Sequence, residues 1–172
     1  MLLGETLAVG TRFGGTACGQ DGAVCRPCSV EVSAQAAVPV EAVWSYLCDP
    51  YSFALWVSGT ARVRRADASW PAVGASLYHR WGPWPVRVRD CTTVTCVHAP
   101  HAMSMVARAR PIAVVHVDLA LEEVTDGVRV VLRESIVAGL SLRCRWLTGR
   151  VQLWRNRRSV VRLLRLVAER EA

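Results

Sequence analysis

This chain ends in one long helix, and the roughly ninety residues before it show only the two-residue alternation of strands. An antiparallel meander of that length has an apolar face too large to remain in water. Because the closing helix is the only element long enough to cover this face, we expect the sheet to curl around it. The helix is predicted over residues 148–172, and its apolar side comprises Leu153, Val160, Val161, Leu164, Val167 and Ala168.

The segment before the meander predicts one strand and two short helices. Residues 29–36 alternate apolar and polar side chains, as a half-buried strand does. Pro39 stands at a favourable first helical position, and Pro50 ends the helix at Asp49, before a short second turn at 51–55. The strands of the meander are predicted at 60–66, 75–81, 86–97, 101–110, 112–124 and 127–137.

Together these elements predict a single α+β domain over residues 29–172. It consists of a curved seven-stranded antiparallel sheet wrapped around a long C-terminal helix, with two short helices after the first strand. The last two strands meet at a tight Asp126-Gly127 turn, and Pro111 interrupts the ladder, so we expect a bend or bulge there. Residues 1–28 hold six of the twelve glycines without periodicity, which indicates a disordered tail.

The cysteines and the start of the chain indicate a reducing compartment. Seven cysteines at irregular spacing, with no secretory signal, are typical of free thiols in a cytoplasmic protein. Cys25 and Cys28 form a CxxC, but no further ligands follow at zinc spacing, so neither a metal nor another cofactor is predicted. All 21 basic residues are Arg, a usage that indicates GC-rich bacterial coding.

The positive charge lies in the closing helix. Residues 1–140 carry 12 Arg against 12 acidic residues, whereas residues 141–172 carry 9 Arg against 2 Glu, which accounts for the net charge of +7. Such a run is typically a solvated helix face, and no nucleic-acid motif accompanies it. We therefore expect no nucleic-acid partner. Contact with an anionic membrane is not favoured but stays open.

The alternation also predicts which side chains face the interior of the curled sheet. It directs Asp90 and Glu134 inward from two strands. In the strand 75–81 it favours the set with His79, although the opposite set with Tyr78 and Arg80 stays open. On the helix, Arg157 falls near the middle of the apolar side, where a charge needs a partner or a hydrated cavity. The residues predicted to line a ligand pocket are Trp56, Leu77, Trp81, Thr92, Met103, Met105, Leu119, Leu132, Trp154 and Arg157.

Two interpretations of the inward ionisable groups stay open. His79, Asp90 and Glu134 could act as acid and base groups that deprotonate a carbon beside a carbonyl. Alternatively, Arg157 pairs with Glu134 or Asp90 and ties the helix to the sheet, while His79 is hydrogen-bonded and inert.

Several short segments stand in a recognisable order along the chain: PVEAVW with the DP that follows, WVSGT, WPAVGASLYHRWG, RDCTTV, ARARP, DGVRVVLRES and WRNRRS. Together with the order of the elements, these segments resemble the polyketide cyclase/dehydrase-like branch of the SRPBCC (START-related) superfamily. The resemblance covers residues 29–170 approximately and implies the helix-grip fold. It implies proteins that hold hydrophobic small molecules in an internal cavity, some of them aromatases or cyclases.

Three functions follow from these observations. The first is binding, transport or sequestration of a hydrophobic or aromatic small molecule. The second is a cyclase, aromatase or dehydratase reaction that uses His79, Asp90 and Glu134. The third is binding of anionic lipid by the Arg-rich helix. The protein is expected to be a monomer or a homodimer.

Overall fold

The first elements of the fold are a strand and two short helices. The computed structural model describes residues 29–82, 88–109, 113–138 and 145–172. Pro39 immediately precedes the first helix and Pro50 follows it, so the two prolines bound this helix as the sequence predicts. In chain order the elements are strand β1 (Ser29–Ala36), helix α1 (Val40–Cys48), a 3-10 turn (Pro50–Ser52) and helix α2 (Phe53–Trp56).

Six further strands join β1 in one antiparallel sheet. They are β2 (Thr60–Ala66), β3 (Ser76–Trp81), β4 (Val88–His98), β5 (Ala102–Ala109), β6 (Ala113–Val124) and β7 (Gly127–Ala138). The strand order is β1-β7-β6-β5-β4-β3-β2, so β1 and β2 form the two edges. The chain then ends in helix α3 (Arg145–Glu171). This arrangement confirms the predicted α+β helix-grip fold.

The hydrophobic core lies under the C-terminal half of α3. Val160, Leu163, Leu164 and Val167 are each at most 3% exposed. They form one cluster with the inward side chains of β1, β6 and β7 and with α1. Because a fully buried aliphatic side chain contributes about 1.5–3 kcal/mol relative to an exposed one, this half of the helix anchors α3 to the sheet.

The N-terminal half of α3 buries polar side chains instead. Gln152, Asn156 and Ser159 are 6%, 3% and 3% exposed. The buried side of the helix is therefore rotated toward these three residues, away from the apolar side that the sequence predicts. As a result Arg157 faces solvent, and the prediction that it projects inward is wrong.

The hairpin between β6 and β7 turns at Thr125 and Asp126, one residue before the predicted Asp126-Gly127 turn, because Gly127 pairs with Val124 and begins β7. Gly127 has a φ of +130°, which side chains other than glycine rarely adopt. A Cβ atom at this position would also lie 2.2 Å from the carbonyl oxygen of Ala36, at the end of β1. The close contact between this turn and the end of β1 thus requires glycine.

Several predictions fall outside the described residues or need correction. The tail 1–28, the Cys25/Cys28 pair and the bend at Pro111 lie outside them. Of the described cysteines, Cys48 and Cys91 are free thiols, whereas Cys96 is disulfide-bonded, so the expectation of free thiols is wrong at Cys96.

Within the described part of the chain, no helix is long and apolar enough to cross a membrane.

Candidate functional site

A cavity of about 330 Å³ lies between the sheet and the N-terminal half of α3. Its volume is at the lower end of the range of about 300–1,000 Å³ typical of small-molecule pockets. Most of its wall is apolar. The contributing side chains include Phe53 and Trp56 of α2, Met105 of β5, Val117 of β6, Leu132 of β7 and Val151 of α3.

The cavity contains about half of the side chains that the sequence predicts for it. Trp56, Trp81, Thr92, Met105 and Leu132 line it, together with His79, Asp90 and Glu134. The roles predicted for these residues in binding and in acid/base chemistry stay predictions.

Five predicted ligand-binding residues lie elsewhere. Leu77, Met103 and Leu119 are at most 2% exposed and belong to the packed core, away from the cavity wall. Trp154 is 63% exposed and Arg157 is exposed as well, because the rotation of α3 turns both toward solvent. Placing Trp154 and Arg157 in a pocket is therefore wrong.

His79 and Asp90 lie opposite each other on β3 and β4. The Nε2 atom of His79 is 3.0 Å from the Thr92 hydroxyl oxygen and 3.7 Å from Oδ2 of Asp90. The other carboxylate oxygen of Asp90 accepts hydrogen bonds from the backbone N–H groups of Cys91 and Arg108, at 2.6 and 2.9 Å. These backbone donors fix the carboxylate beside the imidazole.

Burial determines the charge state of His79. The side chain is 3% exposed and packs against the Phe53 ring, with 5.1 Å between ring centroids. Burial lowers the pKa of His79 below its ordinary value of 6.5, and the Asp90 carboxylate partly opposes this change. His79 is therefore neutral at pH 7 and able to accept a proton.

Glu134 and Arg155 form an ion pair between β7 and α3. The Arg155 guanidinium donates through Nη2 to Oε1 of Glu134, and the two side chains are 24% and 8% exposed. The same guanidinium lies 6.0 Å from the centre of the Trp81 ring. A tie between helix and sheet is present, but its cation is Arg155, so the predicted pairing of Arg157 with Glu134 or Asp90 is wrong.

Polar atoms without a partner are concentrated around the cavity. Within the described residues, no hydrogen bond is made by Oγ1 of Thr60, Nδ1 of His79, Nε1 of Trp81, Nε2 of Gln152 or Nδ2 of Asn156, although all are buried. Each of these residues lines the cavity. A buried polar group without a partner is costly, so this concentration is typical of a binding site.

Three polar residues of α3 face the cavity although the apolar pattern of the helix does not predict them. Gln152, Asn156 and Ser159 have the i, i+4, i+7 spacing of a single helix face, and this spacing was the available signal. Ser159 accepts a hydrogen bond from the backbone N–H of Ser58 at 2.9 Å and donates to the Arg155 carbonyl at 3.0 Å. It thus attaches the segment after α2 to the helix above the cavity.

The described donors around the cavity do not form a metal site. The part of the chain that the structure describes holds no group of three or more His, Cys, Asp or Glu side chains arranged to bind a metal ion. The pair His79 and Asp90 lacks a third ligand there.

The fold and cavity agree with a known family. The family model described as "Polyketide cyclase / dehydrase and lipid transport" matches residues 27–165, which is more than half of the chain. The chain belongs to this family. A comparison with curated protein sequences gave no significant match.

Solved structures share the fold at low sequence identity. The Zhui aromatase/cyclase from Streptomyces sp. R1128 is 15% identical with a TM-score of 0.69, over 84% of this chain and 96% of that one. The di-domain ARO/CYC StfQ from the steffimycin biosynthetic pathway is 11% identical with a TM-score of 0.68, over 83% of this chain and 51% of that one. Protein NE0264 from Nitrosomonas europaea is 17% identical with a TM-score of 0.65, over 83% of this chain and 95% of that one.

Replacing Arg155 should destabilise the protein far more than replacing Arg157. Arg155→Met leaves the buried Glu134 carboxylate without its cation, at an expected cost of about 2–4 kcal/mol in the free energy of unfolding. Arg157→Met removes an exposed charge and should change this free energy by less than about 0.5 kcal/mol. Urea unfolding of both variants measures the difference. Equal effects would show that the ion pair does not stabilise the fold.

The protein should become less stable as the pH is lowered through the titration of His79. Because the pKa of folded His79 lies below 6.5, the unfolded chain binds a proton in the interval between the two pKa values and the folded chain does not. Lowering the pH through that interval should reduce the free energy of unfolding by up to about 1.4 kcal/mol per pH unit. His79→Gln should lose this contribution, whereas His101→Gln, at an exposed turn, should retain it. Urea unfolding at several pH values gives the slopes, and identical slopes in all three proteins would contradict the assignment.

Proposed function

We propose that the protein binds a hydrophobic or aromatic small molecule in the cavity under α3. The observation that supports this best is a predominantly apolar cavity that also contains a small set of buried polar groups. Apolar ligand surface that leaves water gains roughly 25 cal/mol per Å², while a few polar contacts orient the ligand. The family description and the aromatase/cyclase neighbours support a ligand of this kind. The protein would carry or sequester this molecule.

A residue that fills the cavity should weaken the binding of a neutral fluorescent probe. N-Phenyl-1-naphthylamine should bind the wild-type protein at a single saturable site, detected by its fluorescence. Ala107 lines the cavity, and Ala107→Phe should weaken this binding by about tenfold or more, since the ring occupies the ligand's place. Ala61→Phe adds the same ring at an exposed position of β2 and should leave the affinity unchanged. Equal affinities in the three proteins would place the probe outside the cavity.

A second candidate function is catalysis of a ring-closing or dehydrating reaction. It is favoured by the neutral His79, which lies in the cavity wall beside the fixed Asp90 carboxylate. With the Nε2–H directed toward Thr92 and Asp90, the Nδ1 lone pair can accept a proton from a carbon next to a carbonyl. Asp90 would stabilise the resulting imidazolium. The carbanion so formed is the nucleophile that aldol-type cyclisation requires.

Proton exchange separates the enzyme from the carrier. If His79 is a general base, the wild-type protein should accelerate exchange of solvent deuterium into the methyl group of bound 2-acetylnaphthalene. His79→Gln should reduce this acceleration by about 10²-fold or more, a typical contribution of a general base. The rate is measured by proton NMR, with Arg157→Met as the control. A wild-type rate equal to that in buffer would exclude this reaction and leave the carrier function.

Binding of anionic lipid by the Arg-rich face of α3 is the third candidate function, and it stays a prediction. The solvent face of α3 carries Arg157, Arg158, Arg162 and Arg165, and Arg158 lies 5.6 Å from the centre of the exposed Trp154 ring. Arginines beside an exposed tryptophan are the composition of membrane-surface helices. Binding of this kind would weaken steeply with ionic strength.

A further inference from the structure

We propose that Gln152 and Asn156 select an uncharged ligand that carries a carbonyl oxygen, and that their side-chain N–H groups donate to this oxygen. This inference rests on the proposed function, since it specifies the chemistry of the molecule bound in the cavity. It concerns two residues outside the His79 and Asp90 pair and outside the Glu134–Arg155 ion pair.

The two carboxamides lie together on the cavity side of α3. Their positions are four residues apart, so they are adjacent on one helix face. Both line the cavity and both are more than nine-tenths buried. Oδ1 of Asn156 accepts a hydrogen bond from Nη2 of Arg155 at 3.3 Å, which orients the carboxamide and leaves Nδ2 as its unpaired end. Nε2 of Gln152 is unpaired as well.

Unpaired donors of this kind discriminate between ligands. A buried N–H without an acceptor costs about 1–3 kcal/mol, so a ligand that presents only hydrocarbon to these donors leaves this cost in place. A ligand with a carbonyl oxygen at this position accepts hydrogen bonds from the donors and removes the cost. The unpaired N–H of Trp81 and the hydroxyl of Thr60, in the same wall, add further donors for oxygen.

The charges around the cavity disfavour an anionic acceptor. Arg155 is already paired with Glu134, so its positive charge is compensated. Asp90 is negative, and His79 is neutral at pH 7 because burial lowers its pKa. The described ionisable groups of the wall therefore sum to about one negative charge, which repels a carboxylate in a desolvated site. An ammonium group is disfavoured as well, because it only donates hydrogen bonds and would face the N–H donors of the two carboxamides.

Three probes with the same two fused rings test this inference. They are 2-acetylnaphthalene, 2-ethylnaphthalene and 2-naphthoate, each titrated in competition with N-phenyl-1-naphthylamine. The ketone should bind wild-type protein about tenfold more tightly than the ethyl compound, a difference that corresponds to one good hydrogen-bonding site. The carboxylate should bind most weakly.

Variants assign the preference to the two carboxamides. Gln152→Leu and Asn156→Leu should each reduce the ketone/ethyl affinity ratio severalfold, without weakening the ethyl compound. Gln152→Met and Asn156→Ala also remove the donors without adding a charge, and they repeat the test if a leucine variant is unstable. Arg157→Met, on the exposed side of the same helix, should keep the wild-type ratio.

The outcomes separate this inference from the proposed function. Equal affinities for the ketone and the ethyl compound, a preference that survives in both carboxamide variants, or tightest binding of the carboxylate would each overturn the inference while ligand binding stands. Failure of the naphthylamine and all three probes to bind would overturn the proposed function together with the inference.

Discussion

The burial of α3 against the sheet is the interaction on which the rest of this structure depends. Its C-terminal half is fixed by Val160, Leu163, Leu164 and Val167, which are packed in the common core. Its N-terminal half lies over a cavity, because the same face there carries shorter or polar side chains. One helix therefore both anchors the fold and covers the cavity. The change from apolar to polar residues along its buried face separates the anchoring half from the covering half.

The Glu134–Arg155 pair connects the covering half of the helix to the sheet. A carboxylate that is 8% exposed is strongly destabilised unless a cation and hydrogen bonds compensate it. Arg155 supplies both, and Ser159 holds the neighbouring turn of the helix to the segment after α2. The cavity is thus bounded by polar contacts that keep α3 in place where hydrophobic packing is incomplete.

The sheet could be predicted from the sequence, whereas the rotation of the helix could not. Period-two alternation is strict, so the inward directions of Asp90 and Glu134 follow directly from the pattern. For β3 the pattern favours His79 without excluding the opposite set of side chains. On α3 the buried side was identified by apolarity alone, and this criterion fails where a cavity favours Gln152 and Asn156. For this reason the sequence predicts Arg157, and not Arg155, as the partner of the buried carboxylate, and it predicts Trp154 in the wall of the pocket. Which inward residues pack in the core and which line the cavity depends on the three-dimensional placement of α3.

A crystal structure of the complex with 2-acetylnaphthalene would measure the central claim directly, namely that a small molecule occupies the space between the sheet and the N-terminal half of α3. We expect electron density for the fused rings between Trp56 and Leu132, with α3 unmoved above them. Density on the solvent face of α3, or an unchanged cavity at a saturating concentration of the ketone, would contradict the claim.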